Sequence, residues 1–72
     1  MTEQEISNFT NFFAEKLSHV YYYDSREEKL SDIEFAVENM AYDIENGASL
    51  YTAFENACQQ LYVESDGIEL FI

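Results

Sequence analysis

Two glycines and a complete absence of proline set the main limits on how this chain can fold. Glycine and proline are the strongest breaks in regular structure, so Gly47 and Gly67 mark natural segment ends, and a further break falls within residues 18 to 25. This division leaves three stretches that are long enough for helices. A length of 72 residues has room for one hydrophobic core, so residues 1–72 are expected to form a single domain.

The first helix is predicted at about residues 3 to 18. Thr2 and Glu5 have the spacing of a capping box, in which each side chain satisfies a backbone donor at the start of the helix. Apolar residues then recur close to the 3.6-residue helical period, which predicts that they share a buried face. These residues are Ile6, Phe9, Phe13 and Leu17.

The second helix has two candidate starts and one clear end. Ser25 and Ser31 are each followed three residues later by a glutamate, so either could cap it, and Asn46-Gly47 is a typical stop. The third helix is predicted from residue 50 to about 63, with Ser49 as its N-cap. The expected core faces of the two helices consist of Ile33, Val37, Met40 and Ile44, and of Leu50, Ala53, Phe54, Ala57, Cys58 and Leu61.

Two short segments are harder to assign. The run His19 to Tyr23 favours strand by composition but continues the phase of the first helix, so we expect helix or an irregular link. After the turn at residues 65–67, Ile68 to Ile72 alternate as a strand would, and they either pair with the link or pack as an extended apolar strap. The predicted fold is mainly α, a compact three-helix domain with a short C-terminal strand or hairpin as an option.

The charge balance limits the classes of partner. The chain has 15 acidic and 3 basic side chains, a formal net charge of -12, yet 47% of its residues are hydrophobic, which is enough for a folded core. Phosphates are held by Lys and Arg, so direct binding to nucleic acid or to an anionic membrane is not expected. A basic protein surface is the favoured partner. Acidity also has a simpler interpretation, since net charge keeps a small protein soluble.

The compartment is inferred from the lone cysteine and the N-terminal residues. Cys58 allows no internal disulfide, so the fold does not need an oxidising environment. Residues 1–5 lack the basic and apolar stretches of a signal peptide, and no apolar run is long enough to cross a bilayer. We therefore expect a cytoplasmic protein.

No residue pattern predicts catalysis. The single histidine and the single cysteine, His19 and Cys58, lie 39 positions apart without the flanking signature of a nucleophile. Cys58 falls on the predicted apolar face, where a small buried hydrophobe is the ordinary explanation. We therefore expect a protein that is not an enzyme and that uses no cofactor.

Metal binding is not expected either. Asp24, Glu27, Glu28 and Asp32 are dense enough to attract a divalent ion loosely, but the glycine-centred loop of a calcium site is absent. A solvated acidic face explains these four residues better. One cysteine and one histidine also fall short of a tetrahedral zinc site.

The second helix places glutamates in one line. At about 100° per residue they form a row displaced by a quarter to a third of a turn from the core arc. At a rise of about 1.5 Å per residue, neighbours are separated by roughly 6 to 10 Å along the axis, a range that includes the spacing of successive nucleic-acid phosphates. We call this row, Glu27, Glu34, Glu38 and Glu45, the acidic stripe.

Almost opposite the core arc lie Phe35 and Tyr42, seven residues apart and so on one line of the helix. We call them the aromatic pair. Two explanations stay open for them. Either helix two is central and packs on both sides, or the two rings are exposed as anchors of an interface rimmed by Glu38 and Glu45.

The tyrosine run adds to this candidate surface. Tyr21, Tyr22 and Tyr23 are consecutive, so at least one ring should reach the surface. Further charge nearby comes from Asp24, Glu28 and Asp43. Together with the acidic stripe and the aromatic pair, these residues make up the predicted partner-binding site.

In size, acidity, single-domain character and acidic stripe, the chain resembles the small acidic inhibitors that phages and mobile elements encode against CRISPR or restriction systems. Many such inhibitors look like DNA to the groove that they block. The resemblance implies a non-catalytic inhibitor acting in the host cytoplasm. Its partner would be a basic protein, typically a nucleic-acid-binding enzyme.

Two other functions are compatible with the same residues. One is an immunity protein or antitoxin held against a basic toxin, which is how small helical acidic proteins similar to colicin immunity proteins work. The other is an adaptor or small subunit that is acidic only for solubility. In that case Phe35 and Tyr42 would pair across a two-fold axis in a homodimer.

Overall fold

Three hydroxyl side chains determine where the helices of the computed structural model begin. Thr2 accepts from the amide of Glu5 at 3.1 Å, Ser25 from that of Glu28 at 3.0 Å, and Ser49 from that of Thr52 at 3.1 Å. The model describes residues 1–20 and 23–71. Within those ranges the helices are α1 (Glu3–Lys16), α2 (Arg26–Glu45) and α3 (Leu50–Gln60).

The mainly α, three-helix prediction is confirmed. The capping box is complete, because the backbone amide of Thr2 also donates to the carboxylate of Glu5 at 2.9 Å and thereby lowers the pKa of that carboxyl. Of the two candidate starts for the second helix, Ser25 is the N-cap and Ser31 lies inside α2. No described helix combines the length and the apolar character needed to cross a membrane.

The core lies where α2 packs against both α1 and α3. Three alanines, Ala36, Ala53 and Ala57, are buried on the facing sides of α2 and α3, and their small side chains allow close approach of the two backbones. Ile6 follows the phase of the core face of α1, but it lies in the first turn and is 39% exposed. The buried core comprises Phe9, Phe13, Leu17, Ile33, Ala36, Val37, Met40, Ala53, Phe54, Ala57, Cys58 and Leu61.

The C-terminal tail is a 3-10 helix, Ile68–Phe71, and the strand option is wrong. No second strand occurs in residues 1–20 or 23–71 to pair with it. The ring of Phe71 stacks on Phe9 with centroids 4.1 Å apart and meets Phe12 edge-on at 5.3 Å. An isolated strand would not be stable in water, whereas the coiled tail packs Phe71 against the rings of α1.

One lysine ties the tail to α1. The ammonium of Lys16 pairs with the carboxylate of Asp66 and donates to the carbonyl of Glu64 at 2.5 Å. The positive charge of Lys16 lowers the pKa of Asp66. Among the described residues this is the single ion pair.

The end of α3 differs from the prediction, because the helix stops at Gln60 rather than near residue 63. Tyr62 adopts a left-handed conformation with φ +58°. The amide of Val63 turns back to the carbonyl of Cys58 at 3.0 Å, and that of Tyr62 reaches Gln59 at 3.2 Å. These two bonds make a Schellman motif, in which glycine is usual at the position of Tyr62.

The described part of the link between α1 and α2 is not α-helical. After α1 the chain forms a 3-10 turn, Leu17–His19, and Val20 is extended. The ammonium of Lys29 donates to the carbonyl of Leu17 at 3.2 Å, which holds the first residue of this turn against α2. Helix therefore does not continue from α1 through the link. Tyr21 and Tyr22 lie outside the described residues.

We predict that Tyr62→Gly stabilises the fold by about 0.5–1 kcal/mol. A left-handed conformation costs an L-residue about 1–2 kcal/mol, and the greater freedom of glycine in the unfolded chain returns part of that gain. Urea unfolding followed by circular dichroism measures the difference. Tyr62→Ala is the control, because it removes the 87% exposed ring but keeps the strain. Equal stability of the glycine and alanine variants would contradict the prediction.

Candidate interaction surface

The outer half of α2 is exposed along the length of the helix. The inner half is buried through Ile33, Ala36, Val37 and Met40, and Ile44 packs against the same core. A helix of 20 residues is about 30 Å long, which is close to the 34 Å longest dimension of the protein. The outer half of α2 therefore runs along almost the whole molecule.

The acidic stripe lies on this outer half. All four of its glutamates, Glu27, Glu34, Glu38 and Glu45, are exposed. None is neutralised by an ion pair within the described residues, since the pair observed there joins Lys16 to the tail. The stripe therefore presents uncompensated negative charge along about 27 Å of helix, at a rise of about 1.5 Å per residue.

The aromatic pair is exposed beside the stripe. Phe35 is 58% exposed and Tyr42 is 65% exposed, so neither ring is covered by α1, α3 or the described part of the tail. Of the two explanations that the sequence leaves open, packing on both sides of α2 is wrong. The reason is geometric, because α1 and α3 both lie against the inner half of α2, and the tail packs on α1 through Phe71.

The remaining predicted site residues are distributed differently. Glu28 and Asp24 are exposed, whereas Asp43 is half-buried at the turn where its carbonyl accepts the amide of Ala48 at 2.9 Å. Tyr23 is half-buried and packs against the core, so it offers only part of its ring. Tyr23 and Asp24 line an open cleft of about 640 Å³ where the end of α1, the link and the start of α2 meet. Tyr23 and Asp24 therefore lie beside the N-terminal end of α2 and not along its outer face.

Amide side chains border the outer face on the side of α3, a feature that the sequence analysis missed. The side-chain amide of Asn39 donates to the side-chain oxygen of Gln60 at 3.1 Å, which joins α2 to the last turn of α3. Asn39 follows Phe35 by one helical turn, so the aromatic pair has the acidic stripe on one side and, on the other, amides together with the carboxylates of Glu28, Asp32 and Asp43. The phase of Asn39 on α2 was readable from the sequence, but its partner on α3 was not.

The basic residues are gathered at one end of the molecule. No lysine, arginine or histidine follows Lys29 in the sequence. Lys16 is engaged by the tail and Lys29 by the first residue of the 3-10 turn, while Arg26 is the first residue of α2. The positions of the basic residues are readable from the sequence, a signal that their number alone does not carry. The outer face of α2 beyond its first turn is acidic, neutral or aromatic throughout.

This acidity opposes the stability of α2. Glu34 and Glu38 are one turn apart, a spacing at which like charges repel. Asp43 and Glu45 lie near the end of the helix with no basic residue in its last turn, where the helix dipole favours positive charge. These four acidic residues of α2 are thus placed where helix physics disfavours them, whereas Glu27 and Glu28 lie in the first turn, where the dipole favours negative charge.

Cysteine chemistry is not available at the surface. Cys58 is buried in the core, and burial raises the pKa of its thiol to about 11. His19 is exposed in the 3-10 turn after α1. Within the described ranges, no three His, Cys, Asp or Glu side chains come together in an arrangement that could hold a metal ion.

Comparisons with known proteins add no assignment. No protein-family model matches the sequence, and no match was found among curated proteins or solved structures. Only the chain's own residues, above all those on the outer face of α2, bear on its function.

We predict that Glu45→Lys stabilises the folded state by about 0.5–1 kcal/mol at low ionic strength, because it places a positive charge at the C-terminal end of α2. Thermal unfolding in about 10 mM salt measures the effect, which should shrink in 1 M salt as the charges are screened. Glu3→Lys is the matched control. It relieves the same net charge but lies at the N-terminus of α1, so it should destabilise the fold. A stabilising effect of Glu3→Lys would show that only net charge matters.

We also predict that Cys58 reacts slowly in the folded protein. Because the thiolate is the reactive form and burial disfavours it, alkylation by iodoacetamide at pH 8 should be at least about 100-fold slower than in urea-unfolded protein. Mass spectrometry of the modified chain over time gives both rates. Comparable rates would mean that the thiol is exposed and activated, and would reopen the case for a cysteine nucleophile.

Proposed function

We propose that this chain is a non-catalytic inhibitor that binds a basic, nucleic-acid-binding surface of a target protein and blocks it. The observation that carries the proposal is the exposure of Phe35 and Tyr42 directly beside the acidic stripe on a face without basic residues. Carboxylates at phosphate-like intervals meet the positive charges that normally hold nucleic acid. The two rings supply apolar contact that those charges alone lack.

Solubility alone does not explain this face. Charge that serves solubility works from any exposed position, and it favours a surface with few exposed aromatic rings. Here Phe35 is 58% exposed in the middle of an acidic face. Apolar rings surrounded by polar groups are the arrangement expected of a protein–protein interface, with anchors at its centre and a charged periphery.

The binding physics follows from the charge. A net charge of -12 steers the chain toward a basic surface and makes association fast at low salt and slow at high salt. Once bound, the stripe occupies the sites of phosphates, so nucleic acid and the chain exclude each other. Inhibition is therefore stoichiometric and competitive with DNA or RNA.

Two other functions use overlapping features. An immunity protein or antitoxin would meet a basic toxin through the same face, and the identity of the bound protein separates the two cases. An adaptor or subunit would use the aromatic pair to dimerise, but a two-fold dimer through α2 would bring two acidic stripes together, and juxtaposed like charges are costly. This repulsion makes us favour a basic partner over a second copy.

We predict that replacing Glu34, Glu38 and Glu45 together by Lys abolishes capture of the target. The binding free energy should weaken by several kcal/mol, because three attractive contacts become repulsive at the interface. The tagged chain is used to capture proteins from a lysate of the source cells at low salt, and bound proteins are identified by mass spectrometry. A captured nucleic-acid-binding protein should be released by high salt and by added nucleic acid.

The matched control replaces Glu3, Glu15 and Glu69 by Lys, three exposed glutamates outside α2. It changes the net charge by the same amount, so it should retain most of the binding if the face of α2 is what the target recognises. Circular dichroism confirms that both variants are folded. Equal binding by both triple variants and the wild-type chain would refute the proposal, and self-association alone would favour the adaptor.

A further inference from the structure

The outer face of α2 contains a repeated unit. Phe35 is followed three residues later by Glu38, and Tyr42 is followed three residues later by Glu45. Residues three apart on a helix are neighbours, so each exposed ring has a carboxylate on the same side, one turn further along. The two units are seven residues apart, which is about 10 Å along the axis. The face thus repeats a ring and a negative charge in register.

The charge density of the acidic stripe is far below that of duplex DNA. Its four carboxylates are spread over about 27 Å at a rise of about 1.5 Å per residue, or one charge per roughly 7 to 9 Å. Glu28, Asp32 and Asp43 lie on the other side of the rings, and with them α2 carries about one charge per 4 Å. A DNA duplex carries one negative charge per about 1.7 Å of its axis. A single extended strand is therefore the closer match in charge density.

The part of the face from the acidic stripe to Asn39 has the order of one nucleotide strand. The stripe lies along one edge, the rings of Phe35 and Tyr42 come next, and the hydrogen-bonded amides of Asn39 and Gln60 follow on the far side, where further carboxylates also lie. A single strand likewise presents phosphate, then a flat base, then hydrogen-bonding groups at the edge of the base. Grooves that hold single strands combine a basic track with aromatic side chains on which bases stack.

We infer that the basic surface blocked by this chain is a groove that holds single-stranded nucleic acid, with the acidic stripe on the phosphate track and the aromatic pair on the base-stacking side chains. This inference rests on the proposed function and narrows its partner class. Complementary charge commits the face to a basic protein. Recognition then depends on the rings as well as on the carboxylates.

The test uses the protein captured on the immobilised full-length chain and then purified. Its complex with the chain is titrated separately with a 20-nucleotide oligo(dT) and with a 20-base-pair DNA duplex, and both concentrations are expressed per phosphate. Oligo(dT) should release half of the chain at a phosphate concentration at least about tenfold lower than the duplex, because only the single strand offers bases for stacking. Fluorescence anisotropy of the labelled chain follows the release.

Ring variants provide the second readout. Phe35→Ala and Tyr42→Ala should each weaken the complex by about tenfold, in line with the contribution of one stacked base. Tyr51→Ala and Leu70→Ala are the matched controls, since these side chains are 55% and 73% exposed elsewhere on the molecule. They should leave the affinity within about twofold. All four positions are exposed, so folding is retained and is checked by circular dichroism.

The outcomes separate the inference from the proposal on which it rests. Release by the duplex at an equal or lower concentration, or full affinity of both ring variants, overturns the single-strand inference and leaves the inhibitor proposal standing. Failure of both nucleic acids to release the chain overturns the inference and the inhibitor proposal together. Both are also overturned if the complex persists when Glu34, Glu38 and Glu45 are replaced by Lys, or if no protein is captured.

Discussion

The fold depends on a small aromatic core that α1 and α3 build together and that α2 covers from one side. Phe13 and Phe54 stack with centroids 5.7 Å apart, and Phe9 joins them while also receiving Phe71 from the tail. Because apolar burial is the dominant favourable term in so short a chain, this cluster decides which part of each helix faces inward. It needs only a narrow arc of α2. The other half of the longest helix is therefore left for solvent or for a partner.

Local sequence signals were sufficient for most of the fold. The N-caps, the core phases of α1 and α3, and the stop at Gly47 depend on contacts within a few residues, so they could be predicted from spacing. The errors have different causes. Ile6 shares the helical phase of the core but lies in the first turn of α1 and is 39% exposed. Tyr62 takes the position where the motif normally has glycine, so its residue type gave no signal for the end of α3. The tail coils because Phe71 reaches a cluster on α1, a tertiary contact that the spacing of apolar residues does not contain.

The candidate surface divides in the same way. The line of the acidic stripe follows from helical phase alone, and so does the line of Phe35 and Tyr42. Whether those rings are covered depends on where α1, α3 and the tail pack, so the sequence left it open. The bond between Asn39 and Gln60 joins residues 21 positions apart and had no local signal. The residue types on the outer face of α2 could be predicted from the sequence. The exposure of that face and its contact with α3 could not.

Stability and charge make opposing demands on α2, and their conflict bears on function. Dipole and neighbour effects each cost a few tenths of a kcal/mol to about 1 kcal/mol, a noticeable fraction of the stability of a 72-residue domain. Acidic residues placed in the first turns of the helices would give the same net charge without that cost. The chain instead keeps Glu34, Glu38 and Glu45 in line beside two exposed rings. The proposed basic partner, lying along this face, would remove the repulsion and cover the rings at once.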